Sequence, residues 1–510
     1  MANRNTAISG RLFALTFILL GLIVCVLAPD RASAQSKGGP RSDASRLLQV
    51  LDSSGLEVLE GRFRILDPPP MACAGNLPTT WYNNVQPYMS VILPGAVGDP
   101  VAWEKTERVL FPSYLFRQDE ALLIVGKTPP PMAYFAFQTF LFGRYNPATD
   151  ELDPATGGFF APYEFTFAYL GDTVNNLTVR TTGSSVYNSR MAFISTGNRQ
   201  TQERIRAALR VAGYPDAVIN TETMPSSLLR FGYERADQFL LLMRMAIASG
   251  GPDAMSAYQQ MMSDPDTAPL KVFRVRPKRE LPHDPLSAPT LRIKGTGQTE
   301  MDLYPTMEAL REAVLARYES EFEAEELDTF WPDGPNVFEE GYPAIQRRTA
   351  YLGPGQEGSG GFGRDANYRL SEWFDLPADG FALVYGVDHA ATGKATYSSA
   401  AVYLHKTLNA GFAGADSADF AASPGTATYY VPGAPGIDKF YVWKIARHCN
   451  GEPNCMEARV PDDKLAACGT AIAEDAPVRI GFRSYAEPAT KVGPADHELL
   501  YERVIVFRPR

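Results

Sequence analysis

The chain has 510 residues, 45% of them hydrophobic and 21% charged, a globular composition that argues against a disordered tail or a multi-span membrane protein. Its net charge of -10 argues against a nucleic-acid partner, because neutralising phosphates takes a basic surface. The 42 Gly, 40 Pro, 24 Tyr and 28 Phe point instead to many strands and turns.

In chain order, residues 1–34 read as a secretory signal peptide. Arg4 and Arg11 form a basic start, Leu12 to Ala28 is uncharged, and Ala32-Ser33-Ala34 supplies a small-residue cleavage site. Cleavage after Ala34 predicts an exported protein, periplasmic or extracellular. An uncleaved anchor is the alternative, since the uncharged stretch is just long enough to span a bilayer. No later run is as long and apolar, so no membrane span is expected after cleavage. Without Cys25 four cysteines remain: Cys73, Cys449, Cys455 and Cys468. An even number in an exported chain favours disulfides, with three connectivities open. The close spacing of the last three predicts at least one local bridge, with Cys73 then stapling the N-terminal region to the C-terminal loop. A zinc site from His448 and these cysteines is disfavoured, because C-x5-C is wider than the usual knuckle.

Residues 35–60 are expected to be flexible. Residues 61–190 hold short β-branched and aromatic runs such as YMSVIL, EALLIVG and YFAFQTFLF, bounded by Gly, Pro, Asn or Asp, and predict a first β-sandwich-like region. Residues 191–320 alternate strand and helix patterns and predict a smaller α/β unit, with helices at about 201–213, 234–247, 252–262 and 305–320. Residues 321–370 read as an acidic, then Gly-rich linker. Residues 371–510 predict a second β-sandwich-like region. The fold class expected is therefore α+β and mainly β, with two antiparallel sandwich-like regions flanking an α/β unit. Asp119, Leu123 and Gly126 recur at identical spacing as Asp379, Leu383 and Gly386, which raises the prospect of an internal duplication.

Chemistry is less legible. The run Gly353, Gly355 and Gly358 has the spacing of a dinucleotide loop but no strand before it and no helix after it. No G-x-S-x-G elbow exists, and five histidines without metal-ligand spacing give no reason to expect a metal or cofactor. The most polar loop between strong strands is Asp388-His389-Ala-Ala-Thr392-Gly393-Lys394. There His389 can act as a base beside Asp388, Lys394 can hold an anion, and Thr392 can bind a ligand. A hairpin turn with solvated charges accounts for the same residues. Asp172 and Arg180 flank a second polar knot between aromatic strands and either pair with each other or grip a sugar or carboxylate. Glu300 is a carboxylate without an indicated partner. The basic run Lys271 to Arg279 reads as an exposed edge strand, and the acidic run Glu319 to Asp328 as a solvated helix end.

The segments FAYLGDTVNNLTVRTTG and YGVDHAATGKATYSSAAVYLHK resemble parts of large exported bacterial proteins assigned to domains of unknown function. The resemblance implies an exported, β-rich protein and carries no catalytic residue. Three functions fit the sequence. The first is a soluble exported protein binding a carbohydrate or amphipathic small ligand through aromatic-rich sandwich loops. The second is a secreted glycoside or ester hydrolase using His389 or paired carboxylates. The third is a structural or interaction protein of the cell envelope.

Overall fold

The computed structural model describes residues 40–66, 88–95, 113–145, 163–330, 363–404, 410–459 and 475–510. The signal-peptide reading, the glycines 353 to 358, Cys73 and Cys468 lie outside the described residues. Most of the β-branched and aromatic runs become strands, because they alternate or bury both faces as a layered sheet requires. The first half runs α1 (Pro40–Ser53), β1 (Leu56–Glu60), β2 (Arg62–Leu66), β3 (Tyr88–Ile92), β4 (Ala121–Lys127), β5 (Met132–Tyr145), β6 (Tyr163–Tyr169), β7 (Val174–Asn175), β8 (Arg190–Thr196), α2 (Arg199–Val211), β9 (Ile219–Thr223), β10 (Gln238–Ala248), α3 (Gly251–Ser263) and β11 (Leu270–Pro277). The second half runs α4 (Tyr304–Tyr318), β12 (Phe322–Leu327), β13 (Thr329–Phe330), β14 (Ala366–Ser371), β15 (Phe381–Val387), β16 (Tyr397–Leu404), β17 (Ala410–Asp416), α5 (Ser417–Ala422), α6 (Pro424–Tyr430), β18 (Phe440–Ala446), β19 (Cys455–Glu457), β20 (Val478–Tyr485) and β21 (Arg503–Pro509).

Each half stacks an outer sheet on an inner one. The outer sheets have the orders β1-β11-β4-β8-β9 and β12-β21-β15-β18-β19. The inner sheets have the orders β2-β3-β10-β5-β6 and β13-β14-β20-β16-β17, with β7 beside β5. Strand for strand the two halves share one topology in one chain order. Among the described strands the pairings are antiparallel except at one edge of each outer sheet, where β8 runs parallel to β9 and β18 to β19. The matched strands β11 and β21 read LKVFRVRP and RVIVFRP, and each ends opposite the start of the first strand of its half. Gly126 and Gly386 match as well. A Cβ at Gly126 would strike the Pro269 carbonyl, and one at Gly386 would strike the Glu502 side chain, so both glycines admit a close neighbour.

The apolar faces explain the stacking. One core fills each sandwich, with Phe137, Phe193 and Phe239 in the first and Val384, Val402 and Ile480 in the second. A third cluster joins the two inner sheets face to face, through Tyr134, Phe140 and Leu240 against Tyr368, Tyr397 and Tyr485. Helices cover the outer sheets. Leu47 and Leu51 of α1 and Ile205 and Leu209 of α2 pack on the first, and Met307, Leu310 and Val314 of α4 pack on the second. The layers therefore run helix, sheet, sheet, sheet, sheet, helix, and the fold is α+β and mainly β. No helix among the described residues is long and apolar enough to cross a membrane.

Residues 191–320 carry the expected alternation of strands and helices, and their strands β8 to β11 are built into the two sheets of the first half. The segment around 234–247, expected to be helical, is the strand β10. Its FLLLMRMAI run is buried on both faces between β3 and β5, where an uninterrupted apolar strand fits as well as a buried helix. The basic run is likewise not an exposed edge. β11 lies inside its sheet between β1 and β4, and Arg274 is buried against Glu120 at 2.8 Å. The acidic run forms the strand β12 at the edge of its sheet rather than a helix end. Cys449 and Cys455 form the local disulfide.

Candidate functional site

The strand β9 is an edge strand, and its sequence INTET places polar residues where a core strand would carry apolar ones. Asn220 and Glu222 alternate on its buried side. Facing it is the turn 171–180. There Asn175 accepts a bond from Leu177 N at 3.0 Å in an Asx turn, which sets the approach of the chain to β9. The Asn220 amide joins the two segments by accepting from Arg180 N at 2.7 Å and donating to Arg180 O at 3.0 Å. Residues 289–292, in the connection between the halves, close the third side. The result is a polar cavity of about 370 Å³ lined by Asp172, Thr178, Arg180, Asn220, Glu222, Thr223, Thr290 and Arg292 among others.

Asp172 and Arg180 both belong to this cavity, yet they do not pair. Asp172 pairs with Arg364 at 2.9 Å, lies 3.5 Å from the Arg292 guanidinium, and accepts Arg292 N at 2.7 Å. Arg180 is exposed, and its guanidinium has no ion pair among the described residues. The Glu222 carboxylate bridges the two sheets of the sandwich, accepting Thr139 N at 2.8 Å and the Ser195 hydroxyl at 2.9 Å. Burial pushes its acid up to about 7, and these hydrogen bonds offset only part of that effect. The wall thus offers a cation, a carboxyl that titrates near neutrality, and threonine and asparagine groups.

The 388–394 loop lies elsewhere, in a buried charge network. His389 Nδ1 is 2.9 Å from Glu300 Oε2, and Nε2 is 3.3 Å from Glu502 Oε1, an ion-pair contact rather than an aligned hydrogen bond. Glu502 is held by Arg369 through two bonds of 2.8 Å, and the Thr392 hydroxyl and Leu500 N donate to Glu300. Burial opposes charge on His389, but Glu300 and Glu502 outweigh it and push the imidazole up to about 9. Arg369, with His389, outweighs burial in the same way and holds Glu502 down at about 2. Asp388 does not orient His389. It accepts Ala390 N at 3.0 Å, and burial raises its pKa. Lys394 pairs with Glu498 at 2.7 Å and Glu487 at 3.0 Å. An imidazolium that is fully buried and flanked by two carboxylates has no proton vacancy at neutral pH and no route to a substrate. These groups hold the loop together.

Glu222, Asn220 and Arg292 escaped the sequence reading. The polar alternation of INTET is the signal that marks the first two. Arg292 carries no local signal, because it reaches the cavity through the fold alone.

No family model matches the chain, and no curated protein matches it. One of the similar solved structures is the crystal structure of an uncharacterised protein from Burkholderia cenocepacia. It is 13% identical, with a TM-score of 0.35, over 94% of this chain and 90% of that one.

Proposed function

We propose that the chain is an exported binding protein whose ligand is a carbohydrate bearing a carboxylate, taken up in the cavity beside β9. The observation that carries this reading is Arg180, a cation without an ion pair among the described residues, on the wall of a cavity whose lining also holds five threonines and Asn220, beside Asp172, Glu222 and Arg292. A guanidinium grips a carboxylate through two parallel bonds, and hydroxyl and amide groups suit a polyhydroxylated ring. The cavity is of the size that small-ligand sites occupy.

Calorimetric titration with glucuronate and galacturonate, and with galactose as the neutral control, tests it. One of the two uronates is expected to bind the wild type more tightly than galactose. Arg180→Ala is expected to weaken that uronate by about ten- to a hundredfold, the worth of a charge-assisted bond. Failure of both uronates to bind, or equal binding by the variant, would sink the reading.

One observation favours glycoside hydrolysis as a second reading. Glu222, with its acid raised to about 7, shares the cavity with Asp172, and glycosidases work with a pair of carboxyl groups. Release of a reducing sugar by the wild type but not by Glu222→Gln would favour it over simple binding.

A further inference from the structure

A second groove lies on the helix-covered side of the second half, in the other sandwich from the Arg180 cavity. Its volume is about 390 Å³, and its walls include Tyr318, Tyr429, Tyr430, Lys444, Glu452 and Asn454. Three features set it apart from an ordinary surface depression.

The first is the ring of Tyr429, which is 65% exposed and still held in place. Tyr430 meets it edge-on, with centroids 5.2 Å apart at 88°, and Arg317 lies close enough to its phenol for the two to interact. Tyr430 is anchored in turn by a 3.1 Å bond between its hydroxyl and that of Tyr318. An exposed ring fixed in advance offers a flat apolar face at little entropic cost on binding.

The second is the charge pattern. Lys444 and Glu452 pair at 2.6 Å, with both side chains partly exposed on the groove. With one ammonium proton given to Glu452, the pair keeps two donors and the free carboxylate lone pairs, and carries no net charge.

The third is the rigidity of the far wall. Residues 449–455 are closed by the Cys449–Cys455 disulfide, and Asn450, Gly451 and Asn454 adopt left-handed backbone at φ of 51°, 78° and 56°. Lys444 N bonds Asn454 O at 2.8 Å and Glu452 N bonds Cys449 O at 2.9 Å, which fixes Glu452 beside β18.

We propose that this groove is a binding site for a neutral pyranose unit of a glycan, with the C–H face of the sugar on Tyr429 and neighbouring hydroxyls on Lys444 and Glu452. A pyranose presents an apolar face and a hydroxylated rim, which is the combination this groove offers. Among the lining residues Lys444 and Glu452 offset each other's charge, which favours a neutral ligand. The site is independent of the Arg180 cavity.

Saturation-transfer NMR and calorimetry with cellotriose, maltotriose and chitotriose test it. At least one of the three is expected to bind the wild type, and Tyr429→Ala to weaken that binding about tenfold with an unchanged melting temperature. Glu452→Gln is expected to weaken it as well, whereas Arg180→Ala is expected to bind as the wild type does. If none of the three binds, or if both groove variants bind as the wild type does, the proposal is overturned. Loss of uronate binding in Arg180→Ala with trisaccharide binding intact would keep the two sites apart.

Discussion

At the scale of single residues, the most informative group is His389. Its contact with Glu502 depends on Gly386, three residues earlier, because a Cβ there would displace the Glu502 side chain. Removing one member of a buried charge network leaves its partners uncompensated, which costs about 3–5 kcal/mol. His389→Ala is therefore expected to lower the unfolding free energy by about that amount while leaving both proposed sites unaffected. Urea denaturation monitored by tryptophan fluorescence reads the loss. The pH dependence has a definite sign. His389 is raised from 6.5 to about 9, so its contribution is complete below pH 6.5 and is lost as pH rises through about 9. Glu502 is lowered from 4.5 to about 2, so its contribution is present above pH 4.5 and is lost as pH falls through about 2. The wild type should lose stability on the alkaline side of neutrality, and His389→Ala should lose less over the same range. The sequence marked the 388–394 loop as unusual, which it is. It concealed the reason, because Glu300 and Glu502 come from distant parts of the chain and no local spacing links them to His389.

Among the elements, strand β10 and the 449–455 loop show where local signals fail and where they suffice. The run FLLLMRMAI has no period that separates a doubly buried strand from a buried helix, so only its neighbours β3 and β5 decide. Helix α2 was legible because its signals agree. Ile205, Ala208 and Leu209 share a buried face, the Asn198 side chain accepts Thr201 N at 3.0 Å, and Gly213 follows the end with φ 92°. The spacing of the cysteines foretold a local bridge without saying which pair would form it. Closing a loop this short removes a modest amount of unfolded-chain entropy, so replacing Cys449 and Cys455 together by Ser should cost about 2 kcal/mol. Thermal unfolding of the wild type and the double variant under the same non-reducing conditions measures it.

At the level of the whole molecule, the two halves meet through aromatic sheet faces, with the ion pairs Arg244–Asp365 and Arg364–Asp172 between them among the described residues. Arg244 of β10 pairs with Asp365 at 2.7 Å, and the Tyr134 hydroxyl donates to the same carboxylate. Arg244 and Arg483 sit three residues before matched backbone reversals at Ile247 and Ala486, where φ is 48° and 46°. This likeness is far stronger in structure than the triplet Asp119, Leu123 and Gly126 announced in sequence. The reason is physical: topology is kept by burial pattern, whereas individual partners drift. Asp119 is buried against Arg117, while its counterpart Asp379 is exposed. An interface of this kind should make the halves unfold together. Differential scanning calorimetry is expected to show one transition, and Asp365→Asn to lower its midpoint without splitting it. Two resolved transitions in the wild type would show that the halves are energetically separate.

The face-to-face meeting of two inner sheets with one topology has a consequence for assembly. Each half is shaped to receive a partner of its own architecture, and only the connection through residues 278–303 makes that partner the half on the same chain. Along it, Leu286 N bonds Gly197 O at 3.1 Å, Arg292 N bonds Asp172, and Glu300 reaches His389. Until those bonds form, the first half of one molecule can dock on the second half of another through the same surfaces. The product would be a reciprocal dimer that keeps the contacts between the inner sheets. On that basis a higher chain concentration during refolding is expected to raise the share of exchanged pairs, which size-exclusion chromatography of the refolded protein reads.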